Sequence, residues 1–461
     1  DIGFEQAVLD QCCFIYSDGK ESMLLGIHVD DVACWATSQK VLSWFVRKMQ
    51  ERYTVKIAPT MNCFVGVTSK VVSHGGEPRH IHLTAHKYIE KAAEVFKTCA
   101  TAKPPKYPDV LQSYGKFDAV DCVEKDDPER ATLDAQPYRE ALATLAYSAR
   151  TCRPDIAQTV AKLQRHCHNY GWKHIKRLHR LINYCLWHKH TALKLGVYND
   201  VPLLAYADAD QSGCPRTYRS HAGYILKVFG STVEWYSRKI ASLTLSSAQA
   251  EAEAIVEATK AIEHARNLIN EVVVRLGMRP IVTKPVPIME DNTATIRGTE
   301  KPNVQAKTRH YALKLHYIKE MRESGVTNLH YLPTTEQQAD ILTKTPSTYV
   351  QLADSIMNPK HTAGKESQDA AECQRLWTRD FPHGPERIYD RDLLLFRHRY
   401  LTQAKGDLDP STKRKNNFSS AKQHGKEFKS TDAGDGKYGD GNVKQERDAV
   451  ERPCGPDDGP D

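Results

Sequence analysis

Strand-like and helix-like segments alternate between residues 197 and 345. Apolar runs of strand type occur in "LLAYADAD", "HAGYILKVFGSTVEWYSRK", "PVPIMEDN" and "VTNLHYLP", and the second of these is long enough for two strands. Helical periodicity predicts a long helix in "SSAQAEAEAIVEATKAIEHARNLINEVVVRLG" and shorter helices in "YALKLHYIKEMRESG" and "TEQQADILTK". Such alternation is typical of an α/β or α+β domain.

Acidic side chains stand where several of these apolar segments end. Asp208 closes the strand "LLAYADAD", Asp291 follows "PVPIME", and Asp340 lies between Ala339 and Ile341. Each acid has an ordinary explanation, because Asp208 suits a turn, Asp291 an N-cap and Asp340 an exposed helix position. Taken singly, each acid leaves that alternative open.

The start of the long helix adds a fourth acid. Ser246 and Gln249 have the spacing of a capping box, which predicts a helix that begins just before Glu251. Glu253 and Glu257 point away from the apolar face and are predicted to be solvated. Glu251 instead shares a face with an apolar stripe made of Ile255, Ala258, Ile262, Ala265, Ile269, Val273 and Leu276. A carboxylate on a buried face is costly unless something pairs with it.

Considered together, the four acids predict a metal site. Gathered in one place, they would repel one another by several kcal/mol per close pair at an effective dielectric of about 20. Divalent cations would remove that cost, and oxygen ligands select Mg²⁺ or Mn²⁺. Two such ions about 3.5–4 Å apart form a clamp suited to phosphodiester hydrolysis. The sequence shows no P-loop, no zinc-type Cys/His spacing and no serine nucleophile elbow.

The first half of the chain has its own pair of acids. The stretch "MLLGIHVDDVACWA" predicts a hairpin with Asp30 and Asp31 at its tip. A helix capped by Ser38 follows, and a helical pattern runs from Tyr138 to His190. Residues 101–135, rich in Pro, Asp and Lys, are predicted to be a linker.

Composition narrows the class of protein. A net charge of +7 suits a polyanionic partner, and 12 cysteines without regular spacing indicate a reducing compartment. The chain has no apolar run of membrane-spanning length and no signal peptide, so we expect an intracellular protein, cytoplasmic or nuclear, that is not secreted and has no membrane partner. Beyond residue 405 the chain is mostly Gly, Lys, Asp and Ser, a composition that predicts disorder.

The order of these motifs resembles the C-terminal part of a copia-type LTR retrotransposon Pol polyprotein, in which reverse transcriptase is followed by RNase H. The RNase H part matches in "YADAD", "GYIL", "EWYSRK", "LSSAQAEAEA", "EDN", "KTRHYALKLHYIKE", "HYLPT" and "QQADILTK". The resemblance puts the family's catalytic, metal-binding acids on Asp208, Glu251, Asp291 and Asp340. It implies a five-stranded mixed sheet with flanking helices, two Mg²⁺ or Mn²⁺ ions, and cleavage of RNA in RNA–DNA hybrids.

The N-terminal half is similar to the same polyprotein. "GIHVDDVACWA" resembles the reverse transcriptase hairpin, with His28 where the family usually has tyrosine. The resemblance implies that Asp30 and Asp31 are palm carboxylates that bind metal, Asp30 being the stronger candidate; an exposed Asp-Asp turn is the alternative. The family's polymerase site also needs an Asp upstream of the first residue, so we expect no polymerisation by this chain alone and the upstream portion of the polyprotein as a partner.

Two basic segments are predicted to contact nucleic acid. The stretch 172–190 carries Lys173, Lys176, Arg177 and Arg180 around an apolar stripe, which suits salt-dependent phosphate binding, although a solvated helix face explains it nearly as well. Arg309 and His310 lie in "KTRHYAL", where the family has a recurrent histidine. The resemblance implies a structural or phosphate-contact role for His310 rather than proton transfer.

These observations predict five regions. They are the C-terminal part of a reverse transcriptase palm (1–100), a linker (101–135), a helical thumb or connection (136–196), an RNase H-like domain (197–357) and a mostly disordered tail (358–461). The predicted activity is hydrolysis of RNA in RNA–DNA hybrids. Two alternatives remain, a decayed or domesticated remnant that binds nucleic acid without catalysis and a structural partner of a full polymerase.

Overall fold

The computed structural model describes residues 2–58, 61–74, 77–110, 121–214, 216–301 and 306–360. The side chains of residues 73–79 and 302–307 are outside this description. Residues 361–461, most of the tail predicted to be disordered, also lie outside the described residues. No helix of the described part is long and apolar enough to cross a membrane.

The first sheet is an antiparallel meander at the N-terminus. Its strands are paired in chain order and are β1 (Glu5–Gln6), β2 (Cys13–Ser17), β3 (Ser22–His28) and β4 (Asp31–Ala36). Helix α1 (Gln39–Gln50) follows, and the Ser38 hydroxyl accepts a hydrogen bond from the Val41 amide at 3.3 Å. The predicted hairpin and the predicted helix cap are therefore confirmed.

The second sheet is also antiparallel and is closed by a strand from much later in the chain. Its strands are β5 (Cys63–Phe64), β6 (Val67–His74), β7 (Glu77–Thr84) and β8 (Leu193–Gly196). Helix α2 (His86–Val95) follows β7 and buries Ile89 in a helical core. Residues between 133 and 185 add to that core before the chain returns to the sheet as β8, and later residues pack against it as well.

The helical region predicted between Tyr138 and His190 is confirmed. Its helices are α3 (Arg130–Asp134), α4 (Tyr138–Thr151), α5 (Ala157–Gln164) and α6 (Trp172–Trp187). The stretch predicted as a linker contributes to this packing, because Leu133 is fully buried and the Arg130 guanidinium donates to the Tyr170 carbonyl at 2.9 Å. The stretch predicted as a linker from its composition therefore includes a short packed helix, α3.

The third sheet has five strands and mixed direction, as expected. In chain order the strands are β9 (Leu204–Asp210), β10 (His221–Val228), β11 (Ser231–Lys239), β12 (Val286–Glu290) and β13 (Thr327–Tyr331). Their order across the sheet is β11-β10-β9-β12-β13, with β9, β10 and β11 antiparallel and β12 parallel to both β9 and β13. This arrangement places β9 and β12 side by side at the centre.

Helices cover both faces of the five-stranded sheet. In chain order they are α7 (Ser247–Arg275), α8 (Thr293–Glu300), α9 (Ala312–Glu323), α10 (Asp340–Thr343) and α11 (Tyr349–Met357). Successive side chains of a strand point to opposite faces, so β9 contributes side chains to two hydrophobic cores. Ala205 packs in the core that contains α7 and α9, whereas Tyr206 packs in the core that contains α10 and α11.

The closing helix predicted over 335–344 is wrong in extent. Only the four residues of α10 are α-helical, because Gln337 has an extended backbone with φ −68° and ψ 98°. A short 3₁₀ turn, Thr334–Glu336, precedes it. The broken helix turns Asp340 toward the sheet.

Candidate metal centre

Five carboxylates meet beside the centre of the five-stranded sheet. Oxygens of Asp208, Asp291 and Asp340 lie within 4.8 Å of one another, and so do oxygens of Glu251, Glu290 and Asp291. Asp291 belongs to both groups, so the five side chains form one acidic cluster. The structure thus brings together all four acids singled out in the sequence and adds Glu290.

Asp208 reaches the cluster from β9. Its side chain is 1% exposed, and its carboxylate accepts a hydrogen bond from the Thr343 hydroxyl at the end of α10. Lys344, the next residue, places Nζ 2.8 Å from Asp340 Oδ1 and 3.4 Å from Asp208 Oδ1. One ammonium group therefore offsets part of the charge of two neighbouring acids.

Glu251 reaches the cluster from the second turn of α7. Ser246 caps the helix by accepting from the Gln249 amide at 3.1 Å, as predicted. The second bond of the predicted capping box is not formed, because the Gln249 side chain accepts from the Leu245 amide instead. Glu251 is 5% exposed, while Glu253 is less exposed than predicted since it pairs with Lys314 of α9.

Glu290 is the acid that the sequence reasoning missed. It is the last residue of β12 and is fully buried, and its Oε1 accepts from the Asn292 amide at 3.0 Å. The sequence analysis singled out only Asp291, as the acid that follows the apolar run "PVPIME". Because β12 ends at Glu290, both side chains reach the cluster. The usable signal was the adjacent pair of acids in "PIMED".

Burial and mutual repulsion change the protonation of the cluster. Loss of water raises the pKa of Glu251, and the charges of Glu290, Asp208 and Asp291 raise it further. Burial likewise raises the pKa of Glu290, and it raises the pKa of Asp340 to about 8 with help from Asp208 and against the opposing charge of Lys344. Holding all five acids ionised in the metal-free protein is therefore unfavourable.

The donor set fits divalent cations. Glu251 Oε2 and Glu290 Oε2 are buried and have no hydrogen-bond partner. The five acids offer only oxygen ligands, the type that Mg²⁺ and Mn²⁺ prefer, and the Lys344 ammonium lies beside Asp208 and Asp340. Asp208, Asp291 and Asp340 would hold one ion, and Glu251, Glu290 and Asp291 a second.

The other predicted site residues lie elsewhere. Asp30 and Asp31 are exposed at the β3–β4 turn, and no group of three metal-capable side chains in the described ranges includes them. Arg309 and His310 are exposed in the 3₁₀ segment Ala306–Tyr311. Their predicted roles stay predictions.

The basic residues of α6 differ in whether an acidic side chain lies close to their charge. Lys173 pairs with Asp121 at 2.5 Å, and Arg177 lies 3.5 Å from Asp109. Lys176 is exposed, and Arg180 is partly buried. Nearby acids therefore already compensate two of the four predicted phosphate contacts.

Comparison with known proteins finds relatives among transposon polyproteins. No protein-family model matches the chain. The chain is 27% identical over 344 residues to the retrovirus-related Pol polyprotein from transposon RE1 of Arabidopsis thaliana, a match that covers 74% of the chain and 22% of that polyprotein. It is 26% identical over 337 residues to the corresponding protein from transposon TNT 1-94 of Nicotiana tabacum, covering 73% and 24%. Homologues of the chain are thus copia-type retrovirus-related Pol polyproteins from transposons.

This Pol homologue spans about a fifth of the length of those relatives, since the match covers 22% of the first. Over 124 residues it is also 32% identical to secreted RxLR effector protein 161 of Plasmopara viticola, a match that covers 27% of the chain and 87% of that protein. Among solved structures, LC11-RNase H1, isolated from compost by a metagenomic approach, matches 31% of the chain and 93% of its own length at 17% identity and a TM-score of 0.24.

Proposed function

We propose that this chain hydrolyses the RNA strand of RNA–DNA hybrids at the acidic cluster, with two divalent cations, Mg²⁺ or Mn²⁺. The observation that carries the proposal is the convergence of five carboxylates from β9, α7, α10 and the end of β12, two of them with buried oxygens that lack a partner. Similarity to retrovirus-related Pol polyproteins from transposons supports the same reaction in a retroelement.

The residues of the acidic cluster would have different roles that follow from their positions. Bound cations would lower the pKa of the attacking water and stabilise the charge of the leaving oxygen. Asp291 belongs to both carboxylate groups, so it is the side chain whose loss affects both. Lys344 keeps Asp208 and Asp340 close together in the absence of metal, which preserves the site's geometry. Glu251 and Glu290, whose pKa values are raised, would lose any bound proton when a cation replaces it.

We assign this activity to residues 197–357. In the same proposal residues 1–100 are the C-terminal part of a reverse transcriptase palm, with Asp30 and Asp31 as its carboxylates, and 136–196 form the thumb or connection. Exposed Lys176 and the Arg309–His310 pair would contact phosphates, which gives affinity that falls with salt. Hybrid recognition would depend on backbone geometry and 2′-hydroxyls rather than base edges.

One observation favours a second candidate, a remnant that binds nucleic acid without catalysis. The Lys344 ammonium lies within 3.4 Å of both Asp208 and Asp340 and already supplies positive charge at the position of one ion. In that case the cluster would be a structural ion network that needs no metal.

A cleavage assay on the full chain separates the two candidates. We expect labelled RNA in an RNA–DNA hybrid to be cut with Mg²⁺ and left intact with EDTA. Asp291→Asn should abolish cutting, whereas Asp354→Asn, which changes an exposed acid of α11, should leave it unchanged. Hybrid binding that is independent of metal, with no product under any condition, would establish the remnant instead.

A further inference from the structure

A second group of metal-capable side chains lies outside the acidic cluster. Ligand atoms of Cys122, His166 and His174 lie within 4.8 Å of one another, and we call these three residues the thiol–imidazole cluster. His166 Nδ1 is 3.5 Å from Cys122 Sγ, and the two imidazole rings have centroids 4.3 Å apart. The cluster shares no residue with the five carboxylates.

The three residues come from separate segments. Cys122 precedes α3, His166 follows α5, and His174 lies in the first turn of α6. The intervals between them match no zinc-finger spacing, so no local pattern indicated the group. The chain is held around the cluster by the Val123 amide, which donates to the Asn169 carbonyl at 3.0 Å.

Hydrogen bonds already orient both imidazoles. His166 is bonded to the side chain of Asn169, and His174 is bonded to the main chain of Asp121. A metal-ligating histidine characteristically donates its other ring N–H to such an acceptor, which fixes the tautomer and the ring orientation. His174 Nδ1 also accepts from the Gly171 amide at 3.1 Å, a helix-cap bond that a metal on this nitrogen would replace.

Both imidazoles are buried, which favours the neutral form that can bind a metal ion. His166 is 8% exposed and His174 is fully buried. Loss of water lowers the pKa of each histidine to about 4, with a further lowering by the charge of Arg165 at His166 and by His166 at His174. Both rings are therefore neutral at pH 7 and offer a lone pair, while Cys122 would release its thiol proton on binding.

We propose that Cys122, His166 and His174 bind a borderline-soft transition metal of the zinc class. One thiolate and two imidazoles form the ligand set that zinc prefers over magnesium, and they leave a fourth coordination position for water. Binding requires the three ligand atoms to close to about 2.0–2.3 Å from a shared ion, a small contraction from their present spacing. The metal would tie the segment before α3 to helices α5 and α6.

The test uses cobalt(II) as a spectroscopic probe for zinc on the full chain, with excess Mg²⁺ present to occupy the acidic cluster. We expect the wild type to bind one cobalt ion with thiolate-to-cobalt charge-transfer absorption that added zinc removes. Cys122→Ser should lose this absorption entirely. Cys167→Ser is the matched control, because Cys167 is half-buried beside His166 but outside the cluster, and it should keep the absorption.

A second measurement needs no variant. Zinc should slow alkylation of Cys122 in the wild type at least about tenfold, as read by mass spectrometry, because a metal-bound thiolate is withheld from the reagent. Alkylation of exposed Cys99 should not change. The proposal is overturned if the wild type shows no thiolate-to-cobalt absorption, if Cys122→Ser keeps it, or if zinc leaves Cys122 alkylation unchanged.

Discussion

Gln337 donates a hydrogen bond from its side-chain amide to the main-chain carbonyl of Ala207 at 2.8 Å, across 130 residues of sequence. The same nitrogen lies 3.3 Å from the Met289 carbonyl, and the Gln337 Oε1 accepts from the Ala339 amide at 3.2 Å. Each contacted residue immediately precedes an acid of the cluster, namely Asp208, Glu290 or Asp340. One fully buried side chain thus joins three segments that carry the carboxylates.

Replacing Gln337 should disturb the metal site without removing a ligand. In Gln337→Met the carbonyls of Ala207 and Met289 lose their donor, which costs about 1–3 kcal/mol of stability. The displaced acids should need more Mg²⁺ for half-maximal hybrid cleavage, while hybrid binding in EDTA stays the same. Titrating cleavage against Mg²⁺ checks this, with Gln338→Met as control. An unchanged Mg²⁺ requirement would show that Gln337 only stabilises the fold.

Glu290→Gln should separate stability from activity. At neutral pH the buried Glu290, whose pKa is raised, opposes folding when it is ionised, so the neutral amide should make the metal-free protein more stable. Cleavage should fall about 10-fold or more, because an oxygen ligand with negative charge is lost. Urea unfolding in EDTA and the cleavage rate measure the two effects. Glu263→Gln on the exposed face of α7 should change neither.

Lys344→Met should make stability depend more strongly on metal. Without the ammonium, Asp208 and Asp340 face each other uncompensated, so the metal-free variant should lose about 3 kcal/mol. Mg²⁺ should then raise the melting temperature of the variant more than that of the wild type. Lys319→Met, which breaks a surface pair with Glu323, is the control. Equal Mg²⁺ shifts in Lys344→Met and wild type would contradict this role.

Stability should fall in mild acid because of His221. His221 is buried between Arg165 and Ser237, and burial, with the positive charges of Arg165 and Lys162, lowers its pKa well below 6.5. Below pH 6.5 the His221 imidazole binds a proton in the unfolded chain but not in the folded chain. The free energy of unfolding therefore falls by up to about 1.4 kcal/mol per pH unit.

The measurement is urea unfolding at about pH 7.5 and about pH 5.5, where linkage predicts a lower midpoint at the acidic value. His221→Gln should reduce this pH dependence, because the variant has no proton to gain at that position. A pH dependence that persists in full in the variant would assign it to other groups.

Two neighbouring lysines of α6 should differ in their contribution to nucleic-acid binding. Lys176 is exposed, whereas Lys173 pairs with Asp121 at 2.5 Å. Lys176→Gln should weaken hybrid binding and reduce the slope of log affinity against log salt by about 1. Lys173→Gln should have the smaller effect, since its charge is already compensated. Equal slopes for both variants and the wild type would remove α6 from the interface.

Local sequence determined much of this protein. The five strands of the mixed sheet, the Asp30–Asp31 hairpin and the start of α7 all follow from periodicity and capping, which act over a few residues. The same local rules put Glu251 on the buried face of its helix, where it is found. A costly charge on an apolar face was enough to identify it as a candidate ligand.

Tertiary structure alone decided how these parts meet. The inclusion of Glu290, the contact of Lys344 with Asp208, and the thiol–imidazole cluster depend on residues far apart in sequence, which no local pattern registers. Tertiary contacts also shorten α10. Gln337 has an extended backbone, and its side-chain amide donates to carbonyls on β9 and β12. Propensity favoured a longer helix, and buried carbonyls that needed a donor outweighed it.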